Sequence, residues 1–251
     1  MTPIVLALLL ASPDSTPAPR WQAGLTYGFE AFVGHQRATW QAGGVRIGRR
    51  FAQGTLIGEV LTARRYAHTD RGFAADLYRT LRPRAYGNLR LQLMPGADVL
   101  PRLDATAELF QATSGGYEFS AGLRRMEYAS SHATILSAGV AKYLPRWYLR
   151  ARALVVPHEG ATGAAASLQA RRYLKTDDDF VDLSAGLGRE VVTLGTAPSG
   201  PVVELRKNRF VAARVQHALT RGLGLSLVGT WSGTDGLPDR RGLTAGVTWR
   251  W

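Results

Sequence analysis

Five histidines, at positions 35, 68, 132, 158 and 217, are the residues of this chain best suited to moving protons or holding a metal near neutral pH. His68, His132 and His158 stand close in sequence to Asp70, Ser131 and Glu159, so a Ser/His/acid hydrolase or a metal centre is one chemistry they allow. No pair has metal-ligand spacing, no nucleophile motif surrounds Ser131, and histidine is an ordinary residue of polar loops. No catalytic residue, cofactor or metal ligand is therefore expected. The run Asp177-Asp178-Asp179 invites a hard-cation reading. It lacks the spaced ligands and the glycine of a calcium loop, and reads as a solvated turn. Arginine offers more. Arg90, Arg124, Arg150, Arg152, Arg171, Arg214 and Arg250 all fall at the polar parity of alternating segments, against Glu30, Glu59, Glu118 and Asp182. Guanidinium groups arrayed on one face recognise carboxylates and phosphates.

The composition limits what such a face can serve. Lys and Arg number 31 against 19 Asp and Glu, for a net charge of +12 in 251 residues. That balance suits nucleic acid or anionic lipid, but the charges are scattered arginines without a basic tail or a recognised nucleic-acid module, and no nucleic-acid partner is expected. Cysteine is absent, which excludes disulfides, thiolate catalysis and cysteine metal sites. Mean hydropathy is -0.10, and no apolar run approaches the ~20 residues of a membrane helix.

The elements that position the arginines are read from a period of two. Trp21, Ala23, Leu25, Tyr27 and Phe29 alternate with Gln22, Gly24, Thr26, Gly28 and Glu30. The same pattern recurs around Leu89–Leu93, Tyr117–Leu123, Trp147–Val155 and Val181–Leu187. Period two means strands with one apolar and one polar face. About fourteen strands are read in order, among them 21–32, 73–81, 116–128, 146–156, 179–189, 203–219 and 241–251; strands two, three and twelve alternate poorly, so twelve is the other even count allowed. Their lengths match the ~9–11 residues of a tilted membrane strand better than the ~5–6 of a soluble sandwich. Trp21, Tyr117, Trp147, Trp231, Trp249 and Trp251 sit where aromatic girdles meet lipid headgroups. The reading is all-β: a closed antiparallel transmembrane β-barrel. Loops such as His68–Arg71, Pro95–Pro101, Gly195–Pro201 and Ser232–Arg240 are expected to be long at one end, with tight turns at the other.

The chain closes on Leu243, Ala245, Val247, Trp249 and Trp251, one unbroken apolar face. Thr244, Gly246, Trp249 and Trp251 resemble the assembly signal read by the barrel-insertion machinery, which an exposed, unpaired terminal strand would engage. Residues 1–19 read as a signal peptide and short linker, with an apolar run at Ile4–Ala11, and 20–251 as the barrel.

Three stretches, GYEFSAGLRRMEY at 116–128, AKYLPRWYLRARALVVP at 141–157 and SLQARRYLKTDDDFVDLSAGLGRE at 167–190, resemble the YaiO family of outer-membrane proteins. The resemblance implies an outer-membrane barrel of poorly defined function, often encoded near envelope-polysaccharide genes. Some relatives carry tetratricopeptide repeats ahead of the barrel, which this chain lacks. The expected partners are outer-membrane lipid, the insertion machinery and an anionic solute or polysaccharide passing a basic, porin-like lumen. A structural or surface-interaction barrel with a plugged lumen is the alternative, and an outer-membrane hydrolase or acyltransferase the third reading.

Overall fold

The computed structural model describes residues 20–34, 39–158, 161–197 and 200–251, with the backbone path alone for 190–197 and 200–204. The segment 1–19 read as a signal peptide, together with His35 and Glu159, lies outside the described residues. Fourteen strands follow one another: β1 (Trp21–Phe32), β2 (Thr39–Phe51), β3 (Gly54–Arg65), β4 (His68–Arg82), β5 (Ala85–Leu93), β6 (Leu103–Ala112) and β7 (Tyr117–Glu127) form the first half. The second half is β8 (His132–Leu144), β9 (Trp147–His158), β10 (Ala161–Tyr173), β11 (Phe180–Ala197), β12 (Gly200–Ala218), β13 (Leu223–Thr234) and β14 (Arg240–Arg250).

Each strand pairs antiparallel with its sequence neighbours, and β1 closes the ring on β14. The seam runs in continuous register from Gln22 opposite Arg250 to Phe32 opposite Arg240. Two backbone bonds finish it, Trp21 N–H to the Trp251 carbonyl at 2.9 Å and Trp251 N–H to the Trp21 carbonyl at 3.1 Å. An even strand number brings both ends of the barrel to one rim, here called the terminus end. With strands ~4.8 Å apart and tilted by ~40°, a ring of this count has a radius of roughly 14 Å.

Burial is inverted relative to a soluble protein. Val60, Leu168 and Leu187 are 68%, 68% and 71% exposed, whereas Arg171 is 1% and Asp76 4% exposed. The alternating apolar residues form the outer, lipid-facing wall, and the polar ones face inward. That is the arrangement of a membrane barrel. At the terminus end the outer wall carries Trp21, Tyr117, Trp147, Trp249 and Trp251, all exposed. Basic side chains lie over three of these rings: Arg49 on Trp21, Lys142 on Tyr117 and Arg172 on Trp147.

The connections differ from expectation. His68–Arg71 belongs to β4, because the chain reverses already at Tyr66 and Ala67, whose φ angles are 50° and 70°. A two-residue hairpin turn needs positive φ at both positions, and Tyr-Ala bears none of the usual Asn-Gly signal. Gly195–Pro201 is largely strand too, since β11 and β12 pair up to Ala197 opposite Gly200, past a register shift between Thr193 and Gly195. The expected contrast in loop length is correspondingly small. Its strongest remnant is Met94–Arg102, which falls between β5 and β6 at the far end. The 18- and 19-residue strands β11 and β12 supply the rest of the asymmetry.

Candidate functional site in the barrel lumen

A side chain on the inside of a ring can reach past its neighbouring strand, because inward vectors converge; on the outside they splay apart. This geometry identifies the lumen. Arg90 on β5 donates to Glu59 on β3 at 3.0 Å and also to Asp76 on β4. Arg150 on β9 reaches Glu108 on β6 at 2.6 Å and Ser120 on β7 at 3.0 Å. Arg152 bonds Ser137 at 2.9 Å and lies 3.4 Å from the same Glu108. Arg124 grips Asp104 through Nε at 2.7 Å. These acids and arginines occupy the inward parity of their strands; on the outward, lipid-facing parity a lone arginine would cost ~2–4 kcal/mol.

Toward the terminus end, Arg171 Nε donates to Asp182 at 2.9 Å, and Gln169 shares that carboxylate at 2.7 Å. The guanidinium of Arg171 lies 4.1 Å from the Phe180 ring centre, and that of Arg214 lies 5.3 Å from it. Arg214 donates to Gln216 at 2.7 Å rather than to a carboxylate. Arg250 bonds Asp178 of the turn between β10 and β11.

Four lumen residues escaped the sequence reading: Asp76, Asp104, Glu108 and Arg46. The first three occupy even positions of β4 and β6 and were findable by parity alone. Arg46 was hidden because β2 alternates poorly around Gly43-Gly44 and Arg49-Arg50. Of the acids singled out beforehand, Glu59 and Asp182 pair with arginine. Glu118 accepts instead from Tyr86 at 2.8 Å and Tyr143 at 3.2 Å.

The opposite wall, β13, β14, β1 and β2, is built differently. Its mid-lumen positions are Ser226, Thr230, Thr244, Thr26 and a set of glycines, with Glu30 toward the far end. Arg46 donates to Thr248 at 3.0 Å. Gly24 stands opposite Arg46 in register, and a Cβ there would come within 2.6 Å of Arg46 Nε. The missing side chain is the space the guanidinium fills.

Among the described residues the histidines do not come together in one cluster. His68 Nδ1 pairs with Asp98 at 2.9 Å, and Asp70 is occupied by the N–H groups of Asp98, Val99 and Leu100. His132 starts β8 and His158 ends β9. Among the described residues no three His, Cys, Asp or Glu side chains converge on a cation site. The Asp177–Asp179 run is a turn, but the expectation that it is solvated fails at Asp179, which is 5% exposed. Its carboxylate accepts from Ala218 N–H at 2.9 Å and lies 2.8 Å from His217 Nδ1. The Ala218 N–H, with His217 beside it, holds this carboxyl below the ordinary carboxylate range.

On the terminal strand, Thr244 and Gly246 face inward, and Trp249 and Trp251 face outward with ring centres 5.4 Å apart. A Cβ on Gly246 would meet Ser226 Oγ at 2.7 Å, so the strand packs closely against its neighbour on the lumen side.

Comparison with known proteins agrees with this architecture. The model of the YaiO membrane β-barrel domain matches residues 21–191. Among solved structures, OpdQ of Pseudomonas aeruginosa is similar over 92% of this chain and 98% of its own, with a TM-score of 0.54 at 9% identity. A bacterial polysaccharide outer membrane secretin is similar over 93% and 99%, with a TM-score of 0.54 at 9% identity. OpdO of the same Pseudomonas species is similar over 93% and 97%, at 0.52 and 9%. These likenesses concern the fold. No curated protein sequence is significantly similar. The inverted burial, the closed ring and the family match lead to one conclusion: the chain belongs to the YaiO membrane β-barrel family and resides in the bacterial outer membrane.

Proposed function

We propose that the barrel is a channel, or the pore of an export assembly, whose net basic lumen favours anionic solutes or envelope polysaccharide. The observation that carries this reading is the imbalance between the two lumen walls. On β3–β9 the arginines are neutralised by Glu59, Asp76, Asp104 and Glu108. Arg46 and Arg214 instead hydrogen-bond to the neutral partners Thr248 and Gln216. The uncompensated field is therefore positive, and fixed positive charge along a water-filled path selects anions. A fourteen-strand ring lies between the eight-strand barrel, whose interior its own side chains just fill, and the 16-strand porins, which stay open.

The cross-paired wall favours a second reading, a structural barrel whose lumen is closed by its own ion pairs. Reversal potentials in a planar bilayer under a KCl gradient separate the two. Anion-selective conductance, reduced in selectivity by the Arg46→Gln/Arg214→Gln double variant, is expected. Absence of current, or cation selectivity, overturns the channel reading in favour of the structural one.

A further inference from the structure

At the terminus end the lumen holds a cavity of ≈ 410 Å³. That volume lies within the ~300–1,000 Å³ of small-molecule sites. Its charged lining is lopsided: Arg20, Arg46, Arg50, Arg79, Arg171, Arg214, Arg221 and Arg250 face Asp177 and Asp178. Two of these groups, Arg250 and Asp178, neutralise each other.

Three of the cavity's arginines hold a buried nitrogen without a hydrogen-bond partner: Arg46 Nε, Arg171 Nη1 and Arg214 Nε. Arg171 is 1% exposed, and its other nitrogens are committed to Asp182, so its Nη1 belongs to a fixed guanidinium. A buried N–H left unpaired is unfavourable, the more so when the group is charged. An oxyanion drawn into the cavity would complete the donor sets of Arg171 and Arg214, while Arg46, whose Nε rests over Gly24, would meet it through its terminal nitrogens. The three groups are also held in place beforehand. Phe180 lies beneath Arg171 and Arg214, Gln216 anchors Arg214, and Gly24 with Thr248 seats Arg46. The aromatic residues Tyr78 and Tyr86 also line the cavity. Rigid guanidinium donors beside aromatic side chains match a ring-sized organic molecule carrying carboxylate or phosphate.

We propose that this cavity is a saturable binding site for an organic oxyanion, with Arg46 and Arg214 as its principal ligands and Arg171 as a buried third donor. The site deepens the channel reading by giving the basic lumen a point of capture at one mouth. Binding and conduction are separable: a barrel that binds without conducting keeps this proposal and loses that reading, and a conducting barrel without saturable binding does the reverse.

The test is calorimetric titration of the full-length protein in detergent micelles at low salt. The probes are trigalacturonate for carboxylate, glucose 6-phosphate for phosphate and maltotriose as the neutral control. Saturable binding of at least one anionic probe is expected, and which probe binds decides between carboxylate and phosphate. Arg46→Gln and Arg214→Gln should each weaken it about tenfold or more. Arg240→Gln, which removes a charge at the other end of the lumen, should leave it within about twofold. Heat-modifiable gel migration verifies that every variant is folded. Equal binding of maltotriose, equal weakening by Arg240→Gln, or no binding of either anion overturns the proposal.

Discussion

The two walls of the lumen solve the same problem in opposite ways. The wall from β3 to β9 places charge deep inside the barrel and neutralises it there, with Glu108 serving both Arg150 and Arg152. The wall from β12 through β14 and β1 to β2 uses glycine, serine and threonine, and gives its two deep arginines neutral partners. Pairing stiffens the first wall, because each ion pair crosses at least one strand boundary. Small residues let the second wall pack its strands closely around the seam where the ring closes. Ion pairs thus concentrate in one wall, and arginines with neutral partners in the other.

The seam itself is the first place to break this contrast. Among the described residues no ion pair crosses from β1 to β14, so closure there rests on the backbone ladder and on Trp251, whose N–H and carbonyl both bond Trp21. Removing Trp249–Trp251 from the chain is expected to abolish nearly all folded barrel in the membrane, as read by heat-modifiable migration of membrane fractions. Alanine at Thr244, which keeps the ladder, should leave most of it. Equal yields from the truncation and the intact chain would sink both this account of the seam and an assembly role for the terminal aromatics.

A smaller effect is expected within the paired wall. Glu108→Gln leaves Arg150 and Arg152 facing each other without their shared carboxylate and should cost about 3 kcal/mol. Arg214→Gln removes a charge that no carboxylate balances directly, and should change stability by less than ~1 kcal/mol. Urea titration of the barrel in lipid vesicles measures both. The same cost for the two variants would mean that the walls do not differ in kind.

How far this contrast could be read from the sequence depends on parity. Strands β1, β7, β9 and β14 alternate cleanly, so Arg124, Arg150, Arg152 and Arg250 could be placed on the polar face from spacing alone. The partners were harder. Period two says which face a residue occupies and nothing about which strand faces it, so Glu118 and Glu108 are indistinguishable in sequence. The register of each hairpin decides that Glu108 meets two arginines, while Glu118 meets Tyr86 and Tyr143. Arg46 was lost for a different reason. Glycines at 43, 44 and 48 erase the polar and apolar contrast that parity needs, and Gly44 and Gly48 also make room for Glu59 and Gln22 in the lumen. The tight turn at Tyr66-Ala67 was illegible because positive φ is imposed there by the ladders on both sides and not by residue type.

The subtlest test lies at the foot of the sparse wall. Asp179 ties the turn between β10 and β11 to the end of β12 through Ala218, and the adjacent Asp178 neutralises Arg250. Because the Ala218 N–H and His217 hold the Asp179 carboxyl below its ordinary value of 3.8, its contribution to stability is complete above that value. The contribution is lost as the pH falls through the lower value of the folded state. Acid should therefore leave the turn docked at pH 5 or so and release it well below the ordinary carboxylate range. Release also withdraws Asp178 from Arg250. Amide exchange at Ala218 reports the docking, and Asp179→Asn should remove the step. Loss of protection already near neutral pH, or the same acid step in Asp179→Asn, would show that this turn does not set the charge of the sparse wall.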